Sequence, residues 1–267
     1  MSLNPEPNLP EEDLPESVTR RKTLQAFGLF ALAATVPFGV YEYIRRSPNA
    51  LGIRQPLRSV LNANEAVADT YFSNSHLVPT FARSEAVRNA RVNGYEGIKK
   101  TIPDNWQLQV DRPGAPSLQL SIDAIRALPK HEIVYEFKCI EGWSQVQHWG
   151  GARLADFLAA YKLGTRSGNA PSADNSADDL YHHVGLETPD KGYYVGIDMA
   201  SALHPQTLLA YELNGQPITA PHGAPLRLII PVKYGVKNLK RIGRMFFADE
   251  RPRDFWAERG YDYYVGL

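Results

Sequence analysis

The chain has 267 residues, 43% of them hydrophobic, which is enough for one large core or two small ones. Its 29 basic and 29 acidic side chains cancel, and its aromatic residues do not alternate with runs of Lys and Arg. Both features argue against nucleic acid as a partner. The single cysteine, Cys139, excludes an intramolecular disulfide and any zinc or iron–sulfur site built from several cysteines. We expect one catalytic domain with an N-terminal appendage.

The appendage begins with an acidic, proline-rich segment and continues into an apolar run. Residues 1–22 predict a disordered cytoplasmic tail, because they hold too little apolar surface to fold. Residues 23–44 are long and apolar enough to cross a bilayer as an anchor. The pair Arg20-Arg21 before them is also typical of a twin-arginine export signal. We expect an uncleaved membrane anchor, with the catalytic domain on the periplasmic or extracytoplasmic side; a buried helix of a soluble core is the alternative.

The rest of the chain mixes short strands and short helices. Residues 45–104 predict a loop-rich segment that packs on the core, with its clearest helix over 57–71. Residues 105–267 form the predicted catalytic domain, without the regular strand–helix alternation of a doubly wound sheet, so we predict an α+β fold. Residues 165–179 are rich in Ser, Asn, Asp and Gly and predict a mobile surface insertion. The predicted strands cover 106–110, 118–122, 133–140, 193–197 and 226–232, and the predicted helices cover 154–161 and 205–211.

The segment around Cys139 carries the first chemical signal. A predicted strand delivers the cysteine to a turn at Glu141-Gly142, and a helix from Leu154 carries the chain away. A sulfur at a strand end that faces a cleft suits a metal ligand or a nucleophile. A small buried hydrophobic residue is the commoner role of a free cysteine, and the motif alone leaves both roles open.

Two segments resemble the oxidoreductase molybdopterin-binding family, which includes sulfite oxidases and, closest to this sequence, the catalytic subunit of protein-methionine-sulfoxide reductase. The first runs from Cys139 through Glu141, Trp143 and Ser144 to Trp149 and Leu154. The second begins at His222-Gly223-Ala224-Pro225 and continues through a buried apolar strand into a basic stretch that ends near Ile242. The resemblance covers about residues 105–247 and implies a sulfite-oxidase-type fold with mixed sheets, preceded here by one transmembrane helix.

The resemblance implies that Cys139 is the catalytic residue and the protein ligand of a molybdenum ion held by molybdopterin. A thiolate is a suitable donor to such a soft-ligand site. The guanidinium of Arg227 and nearby ammonium groups suit the phosphate of the pterin, and main-chain N–H groups would add to its binding. The predicted cofactor-binding residues are His76, Asn74, Thr188, His222, Arg227, Lys233, Lys237, Asn238, Leu239 and Lys240.

The implied reaction is oxygen-atom transfer, with an S-oxide or N-oxide reduced by electrons from a membrane cytochrome or a quinone-linked donor. The oxide is either a small molecule or part of a protein. No positive charge follows Cys139 closely, so an anionic substrate is disfavoured and we expect poor turnover of sulfite. The alternatives are a sulfite dehydrogenase, a metal-free membrane-tethered accessory subunit of the same fold, and a thiol enzyme in which a histidine activates Cys139.

Overall fold

The computed structural model describes residues 16–98, 105–172 and 178–266. Five α-helices and twelve β-strands alternate irregularly along these residues. The helices are α1 (Glu16–Arg46), α2 (Gln55–Tyr71), α3 (Ile122–Arg126), α4 (Leu154–Ala160) and α5 (Met199–Ala202). The strands are β1 (Asn49–Ala50), β2 (Ile53–Arg54), β3 (Leu108–Arg112), β4 (Ala115–Leu120), β5 (Lys130–Cys139), β6 (Trp143–Arg153), β7 (His183–Glu187), β8 (Tyr194–Asp198), β9 (Leu208–Leu213), β10 (Gln216–Pro217), β11 (Arg227–Ile229) and β12 (Arg244–Ala248).

Two five-stranded sheets form the body of the protein. The first has the order β10-β9-β6-β5, with β11 paired to the other part of β9, and all its strands are antiparallel. The second has the order β4-β3-β12-β7-β8, in which β12 and β3 are parallel and the other pairs are antiparallel. The predicted α+β class with mixed sheets is therefore confirmed.

The strand β9 corrects one prediction. The spacing over 205–211 predicted a helix, but Leu208–Leu213 is a strand whose first four residues are fully buried between β6 and β11. A strand covered on both faces loses the alternation of apolar and polar residues, so a short apolar run does not distinguish it from a buried helix. The prediction also missed β6, which separates the turn after Cys139 from the helix at Leu154.

Helix α1 begins at Glu16, so residues 16–22 continue the apolar helix and do not belong to the predicted tail. The first fifteen residues of that tail lie outside the described residues. Within the described part of the chain, Lys22–Arg46 is the helix long and apolar enough to cross a membrane, and its most apolar window is not buried against the protein. The same length and composition occur in export signals.

Helix α2 packs against the body through charged residues, while its apolar residues face solvent. Pro56 lies in its first turn, where a missing N–H costs no hydrogen bond. Arg58 and Glu65 face the body and are buried, whereas Leu57, Val60, Val67 and other apolar residues remain exposed. The segment that follows α2 joins the edge of the first sheet through a bridge between Thr80 and Tyr135.

Residues 165–179 were predicted to form a surface insertion, and those from 173 to 177 lie outside the described residues. The two described ends are joined, because the Arg166 amide donates to the Asp179 carbonyl at 2.8 Å and Thr165 bridges Leu180. The insertion therefore leaves and rejoins the body at a single point.

Candidate functional site

Cys139 is the last residue of β5, beside the turn that leads into β6. It pairs with Trp143 across the hairpin, and the Gly142 amide donates to the Cys139 carbonyl at 3.1 Å. Gly142 has a φ of +84°, a left-handed conformation that glycine adopts at no steric cost. The predicted strand and turn are thus confirmed, and together they place the thiol at a strand end.

The thiol borders an open cleft with a volume of about 190 Å³. Glu141, Asn238 and Lys240 line the same cleft, together with Cys139 itself. The remaining lining residues include Asn93, Glu96, Tyr193, Trp256 and Tyr261. The cleft therefore combines one sulfur, one ammonium group, carboxylates and an aromatic surface.

Burial raises the pKa of the Cys139 thiol above its ordinary value. The main-chain amide of Glu141 lowers this pKa, the Glu141 carboxylate raises it, and the Arg91 guanidinium lowers it, but the net shift is upward. A thiol with a raised pKa stays protonated at neutral pH, and binding to a metal cation would deprotonate it.

The protein side chains around Cys139 do not form a metal cage of their own. In the described ranges, no group of three or more His, Cys, Asp and Glu side chains could hold a metal ion. A metal at Cys139 would therefore need further donor atoms from a non-protein group that fits the cleft.

Arg227 and Lys240 are two buried cations held by main-chain carbonyls. Arg227 is 1% exposed and donates to the carbonyls of His222 at 3.0 Å and Asn238 at 3.2 Å. Lys240 is 5% exposed and donates to the carbonyls of Gly94 and Pro221. Burial lowers the pKa of Arg227 to about 10, and burial together with Arg227 lowers that of Lys240 to about 7.

No described carboxylate forms an ion pair with either cation, and buried charges normally have such a partner. The hydroxyl of Tyr135, a buried residue near Arg227, also has no hydrogen-bond partner within the described residues. The Arg227 guanidinium lies over the Trp149 ring, 4.6 Å from the ring centroid, so carbonyls and an aromatic face surround this charge.

His222 lies beside these cations. Burial, Arg227 and Lys240 together lower its pKa to about 4, so its ring is neutral at pH 7. Gly223 has a φ of +101°, and a Cβ atom there would lie 2.7 Å from the Lys240 Cβ. The glycine thus lets the turn that carries His222 touch the segment that carries Lys240.

Lys233 and Lys237 belong to a different cluster, although the sequence predicted them for the same site. Lys237 donates to Asp254 at 2.5 Å and to the Gly196 carbonyl at 2.8 Å. Lys233 lies 3.3 Å from Asp198, and burial lowers its pKa to about 8. Both ammonium groups border a small cavity near Tyr263 and are directed to these aspartates, so the structure does not bring them to the Cys139 cleft.

The other predicted residues do not line the Cys139 cleft. His76 lines a second cavity beside Lys138, and Asn74 lies in the same loop, so neither borders the Cys139 cleft. Thr188 is buried behind the cleft wall, where its hydroxyl and the main chain of Tyr193 are hydrogen-bonded at 3.1 Å. Leu239 is fully buried, and its carbonyl accepts a hydrogen bond from the Leu228 amide.

Sequence reasoning missed several residues of the cleft. Asn93 and Glu96 come from the loop before the second sheet, and Trp256 and Tyr261 come from the last segment of the chain. The dipeptide Asn93-Gly94 is a turn signal, and Gly94 does have a positive φ of +57°. That signal could have marked an ordered loop, but nothing in the local sequence places it beside Cys139.

Comparison with known proteins identifies a molybdopterin-binding oxidoreductase. The model of the oxidoreductase molybdopterin binding domain matches residues 95–256, more than half of the chain, so the protein belongs to this family. The sequence is 29% identical over 275 residues to the catalytic subunit of protein-methionine-sulfoxide reductase from Xanthomonas axonopodis pv. citri, covering 97% of this chain and 80% of that protein.

A provisionally named subunit of protein-methionine-sulfoxide reductase from Azospira oryzae is 30% identical over 217 residues, covering 80% of this chain and 77% of that protein. Among solved structures, the sulfane dehydrogenase SoxCD from Paracoccus pantotrophus matches with a TM-score of 0.46 and 15% identity. That match covers 57% of this chain and 40% of the dehydrogenase chain.

Proposed function

We propose that the protein is a molybdenum-dependent oxidoreductase that reduces an S-oxide or N-oxide, with Cys139 as the protein ligand of a molybdenum ion held by molybdopterin. One observation carries the proposal. Cys139, the single cysteine of the chain, borders a cleft that Lys240 also lines. Lys240 and the adjacent Arg227 are buried cations without a carboxylate partner among the described residues.

The residues present fit this cofactor. Arg227 and Lys240 supply the positive charge that a phosphate needs, and the Tyr135 hydroxyl is a buried polar group with no hydrogen-bond partner within the described residues. Neutral His222 and the segment 238–240, of which Asn238 and Lys240 line the cleft, would hold the rest of the cofactor. Thr188 supports the wall that carries Tyr193, which lines the cleft.

Lys233 and Lys237 have a supporting role in this proposal. Their ion pairs with Asp198 and Asp254 tie the segment before Asn238 to the rest of the body. His76 and Asn74 lie near a separate cavity, so a contribution to cofactor binding would be indirect.

When bound, the cofactor supplies two-electron oxygen-atom transfer, so that an oxide plus two electrons and two protons gives the reduced substrate and water. The chain's own residues select the substrate. The Glu141 carboxylate accepts a hydrogen bond from the Trp143 indole at 2.9 Å, which fixes a negative charge in the cleft. Tyr193, Trp256 and Tyr261 add an aromatic surface, so a neutral oxide with apolar substituents fits better than an anion.

The electrons would come from a membrane cytochrome or a quinone-linked donor on the extracytoplasmic side. This location is supported by the candidate span Lys22–Arg46, which would anchor the body at the membrane surface. The names of the relatives support a protein-bound or free methionine sulfoxide as the substrate.

Molybdenum content tests the proposal directly. The native full-length protein should contain molybdenum in stoichiometric amount, and Cys139→Ser should lose most of it, because a hydroxyl is a poor substitute for a thiolate. Lys138→Gln is the matched control: it is the neighbouring residue, but its side chain borders the other cavity. A native protein without molybdenum would overturn the proposal and favour the accessory subunit of the same fold.

The direction of the reaction has its own test. Purified, molybdenum-loaded protein should reduce dimethyl sulfoxide with a reduced viologen dye as the electron donor and should oxidise sulfite poorly. Glu141→Gln should narrow the difference between the rates of sulfoxide reduction and sulfite oxidation, because it removes a negative charge from the cleft. Rapid oxidation of sulfite by the native protein would instead identify a sulfite dehydrogenase.

A further inference from the structure

The last segment of the chain forms one wall of the Cys139 cleft. Trp256 and Tyr261 both line the cleft, and their rings pack edge to face with centroids 5.0 Å apart. A short 3-10 helix, Ala257–Arg259, connects the two residues. The position of this segment therefore determines the shape of the aromatic wall.

The guanidinium of Arg58 holds this segment from behind. Arg58 lies in the first turn of α2, is 6% exposed and donates to the carbonyls of Ala257 at 3.0 Å and Tyr261 at 2.8 Å. A third hydrogen bond of 2.7 Å goes to the carbonyl of Leu51, in the turn between β1 and β2. One side chain thus joins the N-terminal segment to both ends of the 3-10 helix.

Two glycines keep these segments in direct contact. Gly52 and Gly260 both have a positive φ, and a Cβ atom on Gly52 would lie 2.7 Å from the Gly260 nitrogen and the Glu258 carbonyl oxygen. No side chain separates the two turns, so a displacement of one must displace the other.

A second contact with the last segment lies about two helical turns further along α2. Glu65 forms an ion pair with Arg251, in which Arg251 Nη1 and Glu65 Oε2 are 2.9 Å apart. Helix α2 therefore holds the last segment at residue 251 and again at residues 257 and 261. The exposed apolar residues of α2 make no such contact, which explains why the helix buries its charged residues instead.

We propose that Arg58 is a positioning residue that sets the Trp256–Tyr261 wall of the cleft and hence the affinity for the oxide substrate. The inference rests on the proposed function only in taking the Cys139 cleft as the substrate site. Because α2 begins nine positions after the end of α1, the wall of the cleft is held by the element next to the candidate membrane helix.

The test compares Arg58→Ala with Arg54→Ala in the full-length, molybdenum-loaded protein. Arg54 is a matched control, since its guanidinium donates to the Ser47 carbonyl and not to the last segment. For Arg58→Ala we expect the KM for dimethyl sulfoxide to rise about tenfold with little change in kcat, the signature of lost substrate binding. Molybdenum per chain should stay at the native level in both variants.

A second readout follows the wall itself and does not depend on turnover. Acrylamide quenching of Trp256, obtained as the difference between each protein and its Trp256→Phe counterpart, should increase in Arg58→Ala and not in Arg54→Ala. A role confined to overall stability would lower the melting temperature without changing the KM or the quenching of the folded protein.

Arg58→Lys keeps the test decisive if the alanine variant does not fold. A lysine retains the charge but cannot reach all three carbonyls, so the same changes are expected at a smaller size. A folded Arg58 variant that keeps the KM and the Trp256 quenching of the native protein would overturn the inference. Loss of molybdenum from a folded Arg58 variant would also overturn it. Absence of molybdenum from the native protein would defeat the proposed function, while the quenching comparison would still report on the wall.

Discussion

At the scale of single residues, Arg227 and Lys240 are costly to bury. Taking two like charges out of water is unfavourable, and main-chain carbonyls compensate only part of the loss. The lowered pKa values of both side chains express that cost, since each folded environment favours the neutral form. An anionic group bound beside the two cations would reduce that cost.

This cost predicts a pH dependence for the metal-free protein. Lys240 has a pKa of about 7 in the folded state against an ordinary value of 10.5, so the unfolded chain binds more protons between these values. The free energy of unfolding should therefore rise from pH 7 to pH 9. The rise should be smaller in Lys240→Met, as measured by chemical denaturation at each pH. Lys233, whose pKa is lowered in the same direction, contributes to the residual rise, and Cys139, whose pKa is raised, opposes it.

An equal slope in the native chain and in Lys240→Met would contradict this prediction. Lys191→Met is a suitable control, because Lys191 is exposed and any shared change in slope would then come from the loss of a lysine alone.

The structure brings some of the predicted site residues together and separates others. The structure brings Cys139, Asn238 and Lys240 to one cleft, as their two motifs indicated. Lys233 and Lys237 are directed instead to Asp198 and Asp254. The sequence could not predict this, because a basic run does not reveal which lysines have an aspartate in reach. The contribution of Trp256 and Tyr261 depends on contacts with residues about 200 positions away in sequence, and a local pattern holds no such information.

At the scale of secondary structure, β6 depends on the absence of a side chain. The strand contains Gly150 and Gly151, which are poor strand formers, and this explains why the sequence did not predict it. A Cβ atom on Gly151 would overlap the Leu209 carbonyl oxygen and lie 2.7 Å from the Ala210 Cα, both of them backbone atoms of β9. The glycine therefore lets β6 and β9 approach at the end of the β5–β6 hairpin opposite Cys139.

Gly151→Ala should lower the free energy of unfolding by about 2–3 kcal/mol, since the new methyl group meets backbone that cannot move aside. Gly150→Ala is the matched control in the same strand. Its Cβ atom would meet only side-chain atoms of Glu212 and Lys130, at 3.1 to 3.3 Å, and these can give way. Denaturant unfolding of both variants measures the difference, and equal losses would show that the close approach at Gly151 is not a constraint.

At the scale of the whole molecule, the N-terminal helices and the body have different roles. Hydropathy alone predicted α1, and the structure extends it to Arg46 with no body residues covering its apolar window. The packing of α2 was less predictable, because its pattern of exposed apolar and buried charged residues is the reverse of an ordinary amphipathic helix. The pattern is explained by Arg251, which pairs with Glu65, and by the carbonyls of Ala257 and Tyr261, which accept hydrogen bonds from Arg58.

Removal of residues 1–46 should release the protein from the membrane fraction and leave its molybdenum content unchanged. The expectation follows from α1 making few contacts with the body, whereas every predicted cofactor residue lies beyond it. Ultracentrifugation of cell extracts, followed by metal analysis of the soluble protein, measures both effects. Retention of the shortened protein in the membrane fraction would point to a second site of attachment.

The lone cysteine of the chain has a practical consequence for following how this enzyme matures. A sulfur bonded to a metal reacts slowly with a colorimetric thiol reagent, whereas the same sulfur in an empty chain can react once the reagent enters the cleft. After unfolding in the presence of a chelator, the thiol of every chain should react with the reagent. The ratio of the two readings would give the fraction of immature molecules in a preparation without any label or added tag.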